Sequence, residues 1–259
     1  LRIASVVGRR FERPILEKIY KGKGPLSQVV EKLKALEIIQ QTKVFPEAEY
    51  WFRHALTKEV VYNSLLLQHR KVLHDLVAQI IEALYQDRIE EQVNLLQYHF
   101  SKAESWSKAV HYGSLSSEKA LKLSQFHEAV TLFEHVLECL LQLPEDRLRL
   151  EAQFDILFQQ ERIYETLGQR DQQQNIIDKL ISLVEANKDQ AILAEIFRTQ
   201  GDLYTQLGNY DEAERFLNDA LTIWRTLSDA LGESCSLRSM GFLRWHQGRY
   251  KKAVKCNEE

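Results

Sequence analysis

Three glycines set 40 residues apart, Gly168, Gly208 and Gly248, constrain this chain more than any other feature. They sit in related contexts: ETLGQRDQQQNIIDKLISL (165–183), TQLGNYDEAERFLNDALTI (205–223) and RWHQGRYKKAVKCNEE (244–259). Self-similarity at such a period marks a stack of supersecondary units. Gly201 and Gly241 stand seven residues before the second and third glycines. Ala213 and Ala253 stand five residues after them, and Ala220 seven further on. Each unit therefore reads as two helices. The turn glycine supplies the left-handed conformation that a helix end requires. Gly201, Ala213 and Ala220 mark close helix crossings, and Phe197, Tyr204, Tyr210, Phe216 and Leu217 fill the space around them. A lone helical hairpin cannot bury its own apolar face, so the units must stack.

Composition agrees. Ten Gly and four Pro in 259 residues leave long uninterrupted stretches, which favours helix over many short strands. The length predicts two domains or a repeat array, and 44% hydrophobic with 27% charged residues describes a folded, well-solvated chain. Net charge is −3, yet residues 1–45 carry ten Lys or Arg against four acids, leaving −9 for the remainder. A basic first module fits contact with nucleic acid, a nucleotide or an acidic neighbouring domain, or a solvated surface. Cys139, Cys235 and Cys256 stand alone without a CxxC. That argues against a disulfide framework and a Cys-based zinc site, and it suits a reducing, cytoplasmic setting. No apolar run approaches the roughly 20 residues of a bilayer span. In LRIASVVGRRF the arginines follow a short apolar run, unlike a signal peptide. The chain lacks an initiator Met and stops inside a helical pattern, which predicts a piece of a longer protein.

The pattern resembles the tetratricopeptide repeat, which residues 194–227 carry as Phe197, Gly201, Tyr204, Gly208, Tyr210, Ala213 and Ala220. The unit from about Phe154 is weaker, with Gln173 where the pattern wants Ala. SQFHEAVTLFEHVLECLLQLP (124–144) keeps Phe126 and Ala129 and closes at Pro144, and ESWSKAVHYG (104–113) offers Trp106 and Ala109. A 40-residue period exceeds the usual ~34, which implies longer helices or linkers such as TLSDALGES (226–234). The resemblance implies that the first helices line a groove for a peptide or partner domain. The family's contact positions fall on Asp155, Arg162, Glu165, Glu195, Arg198, Asp202, Arg238 and His246. Their mixed signs suggest internal pairing more than a carboxylate clamp, and a rigid spacer with a charged inner face is the alternative. Phe242 and Trp245 predict an apolar patch at the last unit, awaiting a following helix or end-to-end self-association.

Residues 1–75 read differently. IASVV and ERPILEKIY (12–20) have helical spacing, KGKG (21–24) breaks the chain, and PLSQVVEKLKAL (25–36) makes a third helix. Leu26, Val29, Val30, Leu33 and Leu36 are expected on one face of it. EIIQQTKVFPEAEYWFRH then gives two short β-rich runs around a turn containing Pro46. Three helices followed by a hairpin is the order of a winged helix. The third helix turns Gln28, Glu31, Lys32, Lys34 and Ala35 outward, with no Arg or Asn pair for bidentate base contacts. The wing has Lys43 beside Glu47 and Glu49. Sequence-specific DNA binding is therefore disfavoured.

FRHALTKEVVYNSLL (52–66) then carries F-R-H-A-L-x-x-E-x-x-Y-x-x-L as Phe52, Arg53, His54, Ala55, Leu56, Glu59, Tyr62 and Leu65. With the helix VLHDLVAQIIEALY (72–85) and the repeats beyond, the whole chain resembles the region after the ATPase core of STAND-type signalling ATPases. Bacterial examples are joined to adenylate or guanylate cyclase, kinase or LuxR-type domains. The resemblance implies an upstream core that holds ATP or ADP, and no cofactor in this chain itself. In relatives from the apoptosome and plant disease-resistance proteins, a Met-His-Asp signature opens the corresponding helix, and its His reaches the β-phosphate of ADP. His54 matches that histidine, with Arg53 beside it and Ala55 replacing the Asp. The alternative is that His54 caps or packs at the helix start while Leu56, Val60 and Val61 anchor the helix inward.

Catalytic signatures are missing. There is no GxxxxGK[ST], and GKGP (22–25) has no Ser or Thr after its Lys. HEAVT (127–131) lacks the second His of a zincin helix, and His69 and His74 are spaced poorly for chelation on one helix. No GxSxG appears, and Glu90 and Glu91 read as a solvated face. The expectation is a mainly α, non-catalytic, metal-free protein: a winged helix over 1–75, a helical linker with degenerate first repeats over 76–123, and tetratricopeptide repeats over 124–259. Its expected role is regulatory, the repeats sensing a protein or peptide and the winged helix coupling to an upstream nucleotide-binding core. A freestanding adaptor and a winged-helix DNA-binding regulator remain as alternatives.

Overall fold

The computed structural model describes residues 1–22, 24–43 and 48–258. Lys23, Glu47 and the turn expected at Pro46 lie outside the described residues. The chain forms two compact units, Leu1–Arg149 and Leu150–Glu259.

The first unit opens with α1 (Arg2–Val7), β1 (Arg10–Glu12), α2 (Arg13–Ile19), α3 (Leu26–Ala35), β2 (Ile39–Lys43) and β3 (Glu49–Phe52). The strands form one antiparallel sheet in the order β1-β3-β2, with Phe11 opposite Tyr50 and Ile39 opposite Phe52. Burial alternates along β3, so Tyr50 and Phe52 enter the core while Trp51 turns outward, under Arg9 and bonded to Gln40. β1 was not expected, because three residues are too few to show a period. Leu36 does not join the buried face of α3: it is the C-cap and 59% exposed, since the helix ends before it returns to that face.

Five helices complete this unit: α4 (Ala55–Asn63), α5 (Leu67–Leu84), α6 (Val93–Lys102), α7 (Trp106–Lys122) and α8 (Phe126–Leu140). A 3-10 stretch, Gln86–Glu91, joins α5 to α6. One apolar core runs through the unit, from Ala4 and Phe11 through Phe52, Val77 and Ile81 to Phe100 and Tyr112. Tyr85 closes α5 onto the sheet region by donating to Glu12. α7 packs tightly on α8 at Gly113, where any Cβ would meet the Val136 side chain.

The second unit contains α9 from Leu150 onward (the helix spans Arg147–Leu167), α10 (Arg170–Asn187), α11 (Gln190–Gln206), α12 (Tyr210–Leu227), α13 (Ala230–His246) and α14 (Tyr250–Glu258). The turns inside the hairpins fall at Gly168, Gly208 and Gly248, with φ of 68°, 77° and 72°. Between hairpins the chain turns at Lys188 and Ser228 in the left-handed region. Asp189 and Asp229 then cap α11 and α13 by accepting backbone N–H groups. TLSDALGES is therefore no linker: Ser228 and Asp229 are its only non-helical residues, and helices of 17 and 18 residues carry the long period. A Cβ at Gly201 would strike Leu217, which is fully buried, and Ala213 and Ala220 are fully buried beside it. Gly241 and Ala253 are buried in the last hairpin. Arg244 joins α13 to α12 through two bonds of 2.6 Å to Glu214.

Candidate functional site

The first helix of each hairpin in the second unit brings one face to a common pocket of about 670 Å³. α9 contributes Phe158, Glu161, Arg162 and Glu165; α11 contributes Glu195, Arg198, Thr199, Asp202 and Gln206; α13 contributes Cys235, Arg238, Ser239 and Phe242. The 40-residue repeat explains the convergence, since equivalent positions on stacked units line up: Phe158, Arg198 and Arg238 are one such row, and Arg162, Asp202 and Phe242 another.

Arg198 is the hub. Its Nε donates to Glu195 at 2.9 Å, Nη2 donates to the same carboxylate, and Nη1 donates to Asp202 at 2.7 Å. Asp202 also accepts from Ser239 Oγ at 3.1 Å, and Gln206 Nε2 donates to Glu165 at 2.8 Å. Burial disfavours the Arg198 charge, but its bonds and charge attraction to Glu195, with Asp202 nearby, hold it above its ordinary value. Burial pushes the Asp202 carboxyl up to about 6, with Glu165 and Glu195 adding repulsion against Arg198's pull. Glu161 is pushed up to about 7, mainly by burial.

Six of the eight expected groove residues line the pocket: Arg162, Glu165, Glu195, Arg198, Asp202 and Arg238. Asp155 and His246 do not. Asp155 is exposed on α9, and His246 stacks edge-on against Phe242 and Trp245 at ring distances of 4.5 and 5.0 Å. Sequence reading missed Glu161, though a signal existed. Glu161 lies 40 residues before Gly201, and Gln173 lies 40 before Ala213. The small pair that lets α11 and α12 touch is thus replaced in the first hairpin by a hydrogen-bonded pair, Gln173 Nε2 donating to Glu161 at 2.6 Å. Gln173, the residue that broke the pattern, is fully buried and is itself held by Arg170 at 2.7 Å.

In the first unit, His54 is the N-cap residue of α4 by position, but its exposed side chain makes no capping bond. Arg53 pairs with Glu37 at 2.5 Å. Leu56 and Val60 do not anchor α4 inward; they are 69% and 61% exposed, and Val61 is half-buried. The inner face is set one residue later, by Thr57, Val61, Tyr62 and Leu65. Tyr62 fixes that phase, because its hydroxyl lies 3.0 Å from His74 Nε2. His74 Nδ1 is in turn 2.8 Å from His99 Nδ1, and both imidazoles are fully buried. One tautomer assignment serves the chain: Tyr62 donates to His74, His74 donates to His99, and His99 keeps its proton on Nε2 beside the Val7 backbone. The partner of His74 is thus His99. Among the described residues, no group of three or more His, Cys, Asp or Glu is arranged to hold a metal ion.

Residues 192–259 match the tetratricopeptide repeat family model. The match spans the hairpins α11–α12 and α13–α14. An uncharacterized protein of Rhizobium meliloti is 27% identical over 149 residues, which cover 56% of this chain and 14% of that protein. Regulatory protein RapG of Bacillus subtilis is 22% identical over 231 residues, covering 88% of this chain and 59% of RapG. The chain thus spans only part of each curated relative. Among solved structures, the apo form of RapI has the same fold at a TM-score of 0.56, with 13% identity over 78% of this chain and 55% of that one. A STAND protein with a tetratricopeptide repeat sensor from Pyrococcus horikoshii overlaps 99% of this chain and 42% of its own at 16% identity, with a TM-score of 0.45, too low to bear on fold or function. No helix among the described residues is long and apolar enough to cross a membrane.

Proposed function

We propose that this chain is the non-catalytic, partner-sensing region of a larger cytoplasmic signalling ATPase of bacterial type. Tetratricopeptide repeats serve protein–protein interaction. The observation that carries the reading is the pocket built from the first helices of three successive hairpins, its charges already organised around Arg198. A protein or peptide bound there biases the parent between a closed, ADP-held state and an open, ATP-bound one by its different affinity for the two.

Coupling to an upstream core rests on other features. The element order helix, strand, two helices, two strands supports a winged helix within residues 1–75. Exposed Leu56, Val60, Leu66 and Leu67 flank or follow His54, and a neighbouring domain would cover them. His54, free of any cap bond, is available to a nucleotide phosphate on that neighbour. At the other end of the array, Phe242 and Trp245 are 45% and 55% exposed, which supports packing of a further helix or of a second copy there.

The test uses the full-length parent protein. Replacing His54 with Ala should speed release of bound ADP and raise basal ATPase output, with partner binding retained. Unchanged ADP release would remove His54 from the mechanism. An in-frame upstream sequence without a GxxxxGK[ST] would leave a freestanding adaptor.

A further inference from the structure

The pocket's hydrogen bonds are unevenly committed. The Arg198 nitrogens already donate to Glu195 and Asp202. Ser239 donates to Asp202, Gln206 Nε2 to Glu165, and Thr199 Oγ1 to the Glu195 carbonyl. Acceptors remain. Gln206 Oε1 is buried without a partner. Glu161, only 4% exposed, receives one bond from Gln173, and its second oxygen has none among the described residues. An acceptor left unpaired in a buried setting is costly, so the interior is complementary to a donor rather than to an anion. Four carboxylates and three guanidinium groups line the pocket; Arg198 is already committed to Glu195 and Asp202, and Arg162 and Arg238 are exposed, so the interior that remains is acceptor-rich.

We propose that the pocket takes a cationic side chain of the partner, an arginine or lysine, seated between Glu161 of α9, Gln206 of α11 and the adjoining carboxylates. This rests on the reading of the array as a peptide groove, and it adds the chemistry that the groove selects. The replacement of the Gly/Ala pair by Glu161 and Gln173 in the first hairpin is then the device that installs the reader: Gln173 holds one carboxylate oxygen and leaves the other to the ligand. Arg162 and Arg238, exposed and without ion pairs among the described residues, stand at the rim. They suit acidic residues flanking the basic one.

The probe is a set of acetylated, amidated hexapeptides with randomised neutral flanks and one fixed central residue: arginine, its neutral isostere citrulline, or glutamate. Fluorescence anisotropy against the whole chain should show arginine peptides binding about tenfold or more tighter than their citrulline counterparts. Glu161→Gln, which keeps the Gln173 bond, should erase most of that preference. Because the variant also relieves a buried charge, its melting temperature at about pH 8 should not fall, which separates lost binding from lost folding. Equal affinity for arginine and citrulline, or preference for glutamate, overturns the proposal and leaves the groove standing. Binding by none of the peptides overturns both.

Discussion

The two units bury polar side chains to opposite effect. In the first, Tyr62, His74 and His99 form a hydrogen-bonded chain of neutral imidazoles, whose last nitrogen, His99 Nε2, is buried without a hydrogen bond among the described residues. Burial holds His74 at about 4, with Lys102, Lys58 and Arg70 adding repulsion, and burial beside His74 holds His99 at about 3. In the second, burial raises Glu161 and Asp202 to about 7 and about 6, around a pocket open to a ligand. A buried neutral cluster specifies packing. A carboxylate cluster beside a cavity is a candidate site.

The largest expected effect is in the second unit. Arg198→Met removes the cation that Glu195 and Asp202 share, and should cost about 3–5 kcal/mol near pH 8. Acidification to about pH 5 should recover part of that loss by protonating Asp202, which burial already pushes up to about 6. A denaturant titration showing the same cost at both pH values would mean that Arg198 acts through packing, and the contrast between the units would collapse.

Next in size is the response to acid. The histidines have folded values below their ordinary 6.5, so their contribution is present above 6.5 and lost as pH falls toward 4 and 3. Glu161 and Asp202 have folded values above their ordinary 4.5 and 3.8, so their contribution is present at low pH and lost as pH rises toward 7 and 6. Glu214, held below its ordinary value by Arg244, works the other way, but only below its ordinary 4.5. Between about pH 7 and 5 the first unit should therefore weaken and the second strengthen, by about 2–3 kcal/mol each. Hydrogen exchange of the whole chain, corrected for intrinsic rate, resolves the two in one experiment. Parallel shifts in α5–α6 and α9–α11 would refute the opposition.

The smallest effect sharpens the first unit. Tyr62→Phe deletes one hydrogen bond to His74 and should cost about 0.5–1.5 kcal/mol, with the loss confined to slower-exchanging amides of α4 and α5. A loss several times larger would make Tyr62 the keystone of the cluster.

Much of the second unit was legible in advance, because a helical hairpin repeats its needs locally. Turn glycines and close-contact Gly201 and Ala213 follow from spacing along single helices, and six of the positions that the family resemblance offered line the pocket. The same logic misplaced Leu56 and Val60. Their apolar character suits an inner face, but a nine-residue helix is rotated by whichever contact dominates, here Tyr62 on His74. Glu161 was overlooked because a lone Glu in a helix has no period. Its meaning appears only by comparison with Gly201 in the next repeat.

By itself, the sequence determined the helical hairpins and their 40-residue stacking. Backbone geometry and the size of a side chain at a crossing act within a few residues, so a linear pattern records them. Tertiary structure alone decided which polar groups meet. Gln173 reaches Glu161 across 12 residues, His74 meets His99 across 25, and Gln206 reaches Glu165 across 41. Those bonds depend on distances set by the packing of other helices, and they determine which donors are committed and which acceptors remain unpaired.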